Sequence, residues 1–257
     1  MRWLNLLKAN TRKEYLELKR YLPNTIAMLL TFYIIFLGLF GTIHFVGDPS
    51  TQDANIQYVI VNYIFWFLTI TVVNSIGYEV INEAMRGTLE QLSMSPMGIW
   101  RIMTARLIST TVINFIIVIA LLYLSMATAG QWLNIDVVSI LPILVLTLIS
   151  MFGVGFMIAG LSIIFKQVQA FLQILQFILM ALTFVPLSLS PALAYLPFVK
   201  GISLMREVMI DGLSISQFGI GDFLVLGFNA VFYFAIGLGI FIYCERIAIN
   251  KGLLAHY

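Results

Sequence analysis

The sequence predicts an all-α membrane protein with six transmembrane helices, an N-terminal amphipathic interfacial helix and a re-entrant outer segment before the sixth span. Hydrophobic residues form 61% of the chain and charged residues only 10%, a composition that is far from that of soluble domains. The apolar residues fall in long runs, and Lys and Arg are distributed unevenly between those runs. These observations predict both the spans and their orientation.

The predicted spans follow from the length of the apolar runs. A helix needs about 20 apolar residues to cross the hydrocarbon core of a bilayer. Runs of suitable composition lie at residues 26–46, 56–77, 108–129, 139–165, 171–187 and 223–243. In the fourth run, the small residues Gly153, Gly155, Ala159 and Gly160 predict close packing of this helix against its neighbours.

The basic residues predict the orientation of these spans, because short loops rich in Lys and Arg stay in the cytoplasm. All basic residues except Lys200 and Arg206 fall on one side of the six runs, whereas the turns at residues 47–55 and 130–138 contain none. We therefore expect a multi-pass protein of the cell membrane with both termini, the loop at residues 78–107 and a short turn at Lys166 in the cytoplasm.

Residues 1–24 predict an amphipathic helix on the cytoplasmic face. Charged residues interrupt the apolar core that a signal peptide would need. Apolar and weakly polar residues recur instead at three- and four-residue steps, at Leu4, Leu7, Thr11, Tyr15, Leu18 and Leu22. This spacing is typical of a helix that lies along lipid headgroups, although a helix packed on a soluble partner would show it too.

The transmembrane domain, residues 25–257, contains an irregular outer region at residues 186–221. Pro186, Pro191 and Pro197 interrupt an apolar stretch too often for a straight spanning helix. The proline spacing predicts a re-entrant element, with an irregular outer loop as the alternative. Residues 202–213 then predict a short helix at the outer surface.

Two groups of polar and aromatic residues within the spans are candidates for a substrate pathway. Gln169, Gln173 and Gln176 share one face of the fifth span, and a polar stripe in lipid must face protein or water. We expect that face to turn toward the bundle interior, either as a pathway at a dimer seam or as hydrogen bonds between helices. Tyr58, Asn62 and Trp66 share a face of the second span, for which simple packing is the alternative.

The composition gives no sign of catalytic or metal chemistry on this chain. Cys244 is the only cysteine and the chain has two histidines, so no zinc site can be assembled from them. The small net charge of +2 argues against a nucleic-acid partner. The phosphate-binding loop G-x-x-x-x-G-K-[ST] is missing, so ATP is not bound by that route. We expect no catalytic residue, no metal and no cofactor on this chain.

The loop at residues 78–107 contains the most specific motif. Gly87-Thr88-Leu89-Glu90-Gln91-Leu92 is followed by Pro96, and a glycine break before a short helix-forming stretch predicts a small helix between two spans. Here the sequence resembles the permease subunits of ABC-2 type transporters. The resemblance extends over nearly the whole chain, from the basic entry helix to the short basic tail.

The resemblance implies partners and roles for particular residues. It implies a permease that dimerises, most simply with a second copy of itself, in contact with membrane lipid, and that docks an ATP-binding cassette subunit on which ATP and Mg²⁺ are bound. A coupling helix seated in that subunit would involve Glu83, Gly87, Thr88, Leu89, Glu90, Leu92 and Pro96. Tyr15, Leu18 and Tyr21 would lie in a connecting helix that also touches the cassette.

The function predicted in this way is export of an apolar or amphipathic compound, such as a drug, an antibiotic or a lipid, driven by ATP hydrolysis on the separate subunit. An uncharged membrane interior suits such a compound better than a highly charged solute. The alternatives are a polysaccharide or glycolipid exporter of the same family, a carrier that works without ATP, and a membrane scaffold.

Overall fold

The chain folds entirely into helices and turns across the residues that a computed structural model describes, namely 2–46, 49–165 and 169–251. The α-helices are α1 (Arg2–Arg20), α2 (Leu22–Val46), α3 (Gln52–Met85), α4 (Leu89–Ser93), α5 (Ile99–Ala129), α6 (Val137–Ile164), α7 (Gln169–Phe184), α8 (Val199–Met209) and α9 (Ile220–Asn250). The all-α class is confirmed. The predicted turn at Lys166 and the tail from Gly252 onward lie outside the described residues.

Within the described residues, five helices are long and apolar enough to cross a membrane, namely α2, α3, α5, α6 and α9. They contain the first four predicted spans and the sixth, so the protein is a multi-pass membrane protein. The fifth predicted span corresponds to α7, which has only 16 residues. At 1.5 Å per residue this helix is about 24 Å long, shorter than the roughly 30 Å hydrocarbon core. A sixth crossing therefore stays a prediction.

Helix α3 forms the centre of the bundle. It is the most buried of the five long apolar helices, whereas α2 is the least buried. Helices α2, α5, α6, α7 and α8 all pack against α3. The aromatic rings of Phe36 in α2 and Tyr63 in α3 lie 5.4 Å apart, measured between centroids, and both residues are fully buried. A single hydrophobic core thus runs along α3.

The closest helix contact joins α6 and α9, and it depends on glycine. A methyl group added at Gly153 would lie 2.2 Å from the carbonyl oxygen of Tyr233. One added at Gly160 would lie 2.9 Å from the Cα of Phe241. Only glycine permits the two backbones to approach this closely. The close packing predicted from the small residues of the fourth span is confirmed.

The region between α7 and α9 folds back into the body of the bundle. The backbone N–H of Phe198 donates to Ser150 Oγ over 3.1 Å, and Ser150 lies near the middle of α6. At the other end of α8, the backbone N–H of Asn134, just before α6, donates to the carbonyl oxygen of Met209 over 2.9 Å. Helix α8 therefore runs from the middle of α6 to the level of its first residues.

The position of α8 corrects one expectation. The short helix predicted at residues 202–213 exists, but it begins at Val199 and is largely buried against α6 and α3. Its charged residues suggested a surface position, yet most of its side chains, including Ile202, Met205 and Val208, are shielded from solvent. The physical reason is that Gly201 lets the helix pack directly on Thr147, where an added methyl group would clash.

Candidate functional site

The connection between α3 and α5, residues 86–98, contains the sequence motif. Helix α3 ends at Met85, and Gly87 follows with a φ of +68°, a left-handed conformation that favours glycine. Gly98, with a φ of +73°, precedes the first residue of α5 in the same way. The predicted loop at residues 78–107 is therefore mostly helical. The loop is predicted from the ends of the apolar runs, at residues 77 and 108, whereas α3 continues to Met85 and α5 already begins at Ile99.

Helix α4 is held against the end of α3 by the residue that precedes it. The backbone N–H of Thr88 donates to the carbonyl oxygen of Glu83 over 3.0 Å. The Thr88 hydroxyl donates to the Glu83 carboxylate and to the Glu83 carbonyl oxygen. Leu89, the first residue of α4, is fully buried. These contacts fix the start of α4 relative to the end of α3.

The predicted coupling residues divide between a buried and an exposed side of this connection. Thr88, Leu89 and Leu92 face the protein or lie partly buried, whereas Gly87, Glu90 and Pro96 are exposed. Met85 and Met94 are exposed beside them, at 58% and 72% of their surface. Exposed methionines are frequent at binding surfaces because their side chains adapt to a partner. The sequence motif did not identify these two residues.

An ionic cluster lies immediately behind the connection. Arg106 in α5 donates through one terminal nitrogen to Glu79 Oε2 over 2.8 Å and to Glu83 Oε1 over 2.6 Å, both in α3. We call Glu79, Glu83 and Arg106 the Arg106 cluster. Glu83 thus binds both Thr88 and Arg106. The sequence placed Glu83 at this site but gave no sign of Glu79 or Arg106, because their pairing depends on the register of α3 against α5.

Helix α1 packs on the same end of α5. The Thr11 hydroxyl donates to Ser109 Oγ over 3.0 Å, and Ser109 donates to the carbonyl oxygen of Leu7 over 3.4 Å. Of the predicted connecting residues, Leu18 is partly buried, whereas Tyr15 and Tyr21 are more than half exposed. One face of α1 therefore packs against α5, and the opposite face is exposed. The predicted apolar stripe is divided between these two faces.

Glu14 is a partly buried carboxyl group on this packed face of α1. Burial raises the pKa of Glu14 above its usual value, and the neighbouring carboxylates of Glu17 and Glu79 raise it further. The Lys13 ammonium and a hydrogen bond with Thr110 oppose this rise. Ionisation of Glu14 is therefore less favourable where α1 meets α5 than it would be in water.

The aromatic pathway candidates on α3 face α7. The Tyr58 hydroxyl donates to the carbonyl oxygen of Phe184 over 2.8 Å, and Trp66 Nε1 donates to the carbonyl oxygen of Gln176 over 3.4 Å. Asn62 is fully buried, and its amide has no hydrogen-bond partner among the described residues. This face of α3 is covered within the protomer.

The glutamine candidates on α7 are not oriented as expected. Gln173 is exposed and Gln176 is partly buried, whereas Leu172 and Leu179 form the buried side of the helix. The side chain of Gln169 lies outside the described part of the structure. The expectation that the stripe faces the interior is wrong for Gln173. Phe171, Ile174, Phe177 and Ile178 surround it as an exposed apolar face.

A second arginine lies at the opposite end of the bundle. Arg206 in α8 is only 6% exposed, donates to Tyr58 Oη, and donates to the carbonyl oxygen of Val185 over 3.3 Å. Its guanidinium carbon also lies 5.0 Å from the centroid of the Tyr58 ring. Arg206 and Tyr58 together bind the carbonyl oxygens of Phe184 and Val185, where α7 ends and no further turn of helix supplies N–H donors.

The described residues contain no group of three or more His, Cys, Asp or Glu side chains that could hold a metal ion. A family model described as ABC-2 family transporter protein matches residues 42–238, which include the α3–α5 connection, the region between α7 and α9, and most of α9. No curated protein matches the chain. The family match covers well over half of the sequence and agrees with the helical membrane architecture. The chain therefore belongs to the ABC-2 family of transporters as a membrane permease.

Proposed function

We propose that this permease exports an apolar or amphipathic compound, driven by ATP that a separate cassette subunit hydrolyses with Mg²⁺. The observation that carries the proposal is the arrangement of α4. Its inner side is fixed to α3 through Thr88 and Leu89, while Glu90, Met94 and Pro96 remain free for a partner. A short helix with one anchored side and one exposed side can receive a push from that partner.

The proposed mechanism is mechanical. The cassette subunit contacts Glu90, Met85 and Met94 on the exposed side of the α3–α5 connection. It also contacts Tyr15 and Tyr21 of α1. When the cassettes close on ATP, α4 moves with them. The rigid contact from Thr88 to Glu83 passes this motion to α3, the central helix. The chain itself supplies binding and movement, and the chemistry belongs to the partner.

The proposed orientation places α1, α4 and both termini in the cytoplasm, in keeping with the distribution of Lys and Arg. Helix α7 then makes the fifth of six crossings, and it is the shortest of them. In this orientation the segment from Pro186 to Met209 becomes the re-entrant element, a role supported by its contact with Ser150 near the middle of α6. Lys200 reaches Asp222 over 2.7 Å on the outer side, so its charge is paired.

The proposed dimer partner is a second copy of this chain, seated on α7. Gln173 is exposed on an otherwise apolar face, and an amide in contact with lipid would lack hydrogen-bond partners. A facing copy would supply those partners and would create a seam with Gln169, Gln173 and Gln176 along it. Tyr58, Asn62 and Trp66 lie behind α7 and would line the pathway only if α7 moved.

An apolar compound is favoured over a sugar polymer by the cavities that face the membrane. A cavity of about 220 Å³ between α3, α5 and α6 has no polar lining; Phe65, Phe115 and Leu144 are among its walls. Such a space accommodates an alkyl chain and offers a sugar no hydrogen bonds. A polysaccharide or glycolipid exporter remains the second candidate. A carrier without ATP would leave the exposed side of α4 without a partner, and a scaffold would bind a partner there without transport.

The proposal is tested with inverted membrane vesicles that contain the permease and its co-purified partner. Uptake of a rhodamine dye and of a short-chain fluorescent phosphatidylcholine is measured with and without ATP. ATP-dependent uptake of either probe, abolished by the double substitution Glu90→Ala and Met94→Ala, is the expected result. Equal uptake without ATP would identify a carrier, and the absence of any co-purified ATPase would indicate a scaffold.

A further inference from the structure

The Arg106 cluster joins α3, α4 and α5, which the chain connects only through short links. Glu83 accepts a hydrogen bond from Thr88 through one carboxylate oxygen and from Arg106 through the other. The same nitrogen of Arg106 binds Glu79, one turn earlier in α3. A single carboxylate thus connects the start of α4 to α5, and a single guanidinium connects α5 to two turns of α3.

The surroundings of the cluster favour a stiff connection. The carboxylates of Glu79 and Glu83 are 28% and 12% exposed, and the Arg106 side chain is 15% exposed. A small crevice lined by Ile76, Met103 and Leu107 beside Arg106 has no room for a water molecule. Because the crevice is too narrow for water and the three side chains are largely shielded, the ionic contacts are stronger than those of a fully exposed pair.

Without this cluster, movement of α4 could be absorbed by separation of α3 from α5. Helix α4 is joined to α3 by residues 86–88 and to α5 by residues 94–98, and each link includes or ends at a glycine with positive φ. Short links of this kind can change their dihedral angles. A force on α4 would then bend the links instead of moving the spans.

We propose that Arg106 is a positioning residue that locks the adjoining ends of α3 and α5 into one unit, so that both spans follow α4 together. The inference rests on the proposed ATP-driven function and names the contact by which movement is shared between the spans. Arg106 acts through Glu83 on Thr88, and it touches neither the partner surface nor a pathway residue. Glu79 provides the second anchor that prevents rotation about the first.

The test measures the distance between α3 and α5 in the complex during ATP hydrolysis. Because Cys244 is the only cysteine, Cys244→Ser gives a background for spin labels. Labels are placed at Tyr78→Cys in α3 and Val112→Cys in α5, both exposed positions near the cluster. Labelled copies are diluted with unlabelled ones, and distances are recorded before and after trapping with ADP and vanadate. A separate label at Gln91→Cys, an exposed position within α4 to which no partner contact is assigned, reports movement of α4 itself.

The inference predicts that trapping leaves the Tyr78–Val112 distance unchanged in the otherwise wild-type complex. With Arg106→Gln, the distance should change by about 2 Å or more, a shift typical of helices at switching interfaces. Uptake of the fluorescent phosphatidylcholine per ATP hydrolysed should fall about tenfold, within the usual range of coupling between sites. Arg246→Gln removes an exposed arginine elsewhere and should retain the wild-type distance and ratio.

The conservative substitution Arg106→Lys separates positioning from general damage, because it keeps a positive charge opposite both Glu79 and Glu83. Recovery of the fixed distance and of the uptake ratio supports the inference. A fixed distance and a normal ratio in both Arg106→Gln and Glu79→Gln would overturn it while leaving the proposed function intact. If the Gln91 label does not respond to trapping in the complex that retains Arg106 and Glu79, the proposed function fails and the inference fails with it.

Discussion

Arg106 and Arg206 lie at opposite ends of the bundle, and each holds helical segments together through a different kind of contact. Arg106 binds two carboxylates and lies partly exposed. Arg206 is more deeply buried, and its described contacts are a phenol oxygen, a backbone carbonyl oxygen and an aromatic ring. The first arginine forms ionic contacts between side chains of two helices. The second caps the end of α7 with neutral partners.

The difference teaches which contact is suited to movement. The Arg106 ion pairs join side chains of two helices, so they can be carried along intact when both helices move together. A buried guanidinium that caps backbone carbonyls has no alternative partner if the helix moves, because burial makes a lost hydrogen bond expensive. We therefore expect the Arg206 contacts to hold α8 and the end of α7 in place and the Arg106 cluster to transmit motion. The predictions below test this division.

The largest effect is expected from Arg206→Gln. The substitution removes two hydrogen bonds from a charged group and leaves the end of α7 uncapped, which should cost about 3 kcal/mol of unfolding free energy. The measurement is denaturant or thermal unfolding of the purified protein in detergent. Arg246→Gln serves as the control for loss of an exposed arginine, and an equal stability loss in both variants would contradict the assignment.

Tyr58→Phe should have a smaller effect of the same kind. It removes the hydroxyl that donates to Phe184 and accepts from Arg206, while the ring beneath the guanidinium remains. We expect a loss of about 1 kcal/mol, the usual net value of one hydrogen bond. Combining Tyr58→Phe with Arg206→Gln should cost less than the sum of the two single losses, because the residues share a network. Additive losses would show that they act separately.

Salt should distinguish the two arginines. The stability lost in Arg106→Gln is expected to be about 1 kcal/mol at low ionic strength and to shrink in 1 M salt, because partly exposed ion pairs are screened. The loss in Arg206→Gln should change little under the same conditions, since its partners are neutral. Unfolding of both variants at two salt concentrations gives the comparison. The same salt dependence for both would remove the proposed distinction.

The smallest effect concerns Glu14 beside the Arg106 cluster. Because the pKa of Glu14 is raised in the folded protein, its protonated form favours folding, and that contribution is lost as pH rises through the folded pKa. Glu14→Gln should therefore stabilise the packing of α1 on α5 at pH 7, with an advantage that declines toward pH 4.5, the unfolded value. Thermal unfolding at several pH values measures it. A stabilisation independent of pH would exclude this cause.

Much of the fold could be predicted from local sequence. The apolar runs identified the five long helices that the structure shows to suit a membrane, because hydropathy and length act within one segment. The small residues Gly153 and Gly160 indicated close packing, and Gly87 indicated the break before α4. Each of these signals depends on a few neighbouring residues.

The parts that could not be predicted depend on contacts between distant segments. Arg106 meets Glu79 and Glu83 only because α5 returns along α3 in a particular register. Arg206 suggested a surface helix because a charge usually stays in water, yet Tyr58 and a carbonyl oxygen offset its burial. Likewise, the spacing of Gln173 and Gln176 defined one face of α7 but not the direction in which that face points.

Site-specific photo-crosslinking at Glu90 in native membranes tests the central claim most directly. The photoreactive amino acid replaces Glu90 on the exposed side of α4, and a matched variant replaces Trp132, which is exposed in the connection between α5 and α6. The account predicts an adduct with an ATP-binding protein from position 90 and none from position 132. Adducts that lack any ATP-binding protein at position 90, or the same adduct from both positions, would contradict it.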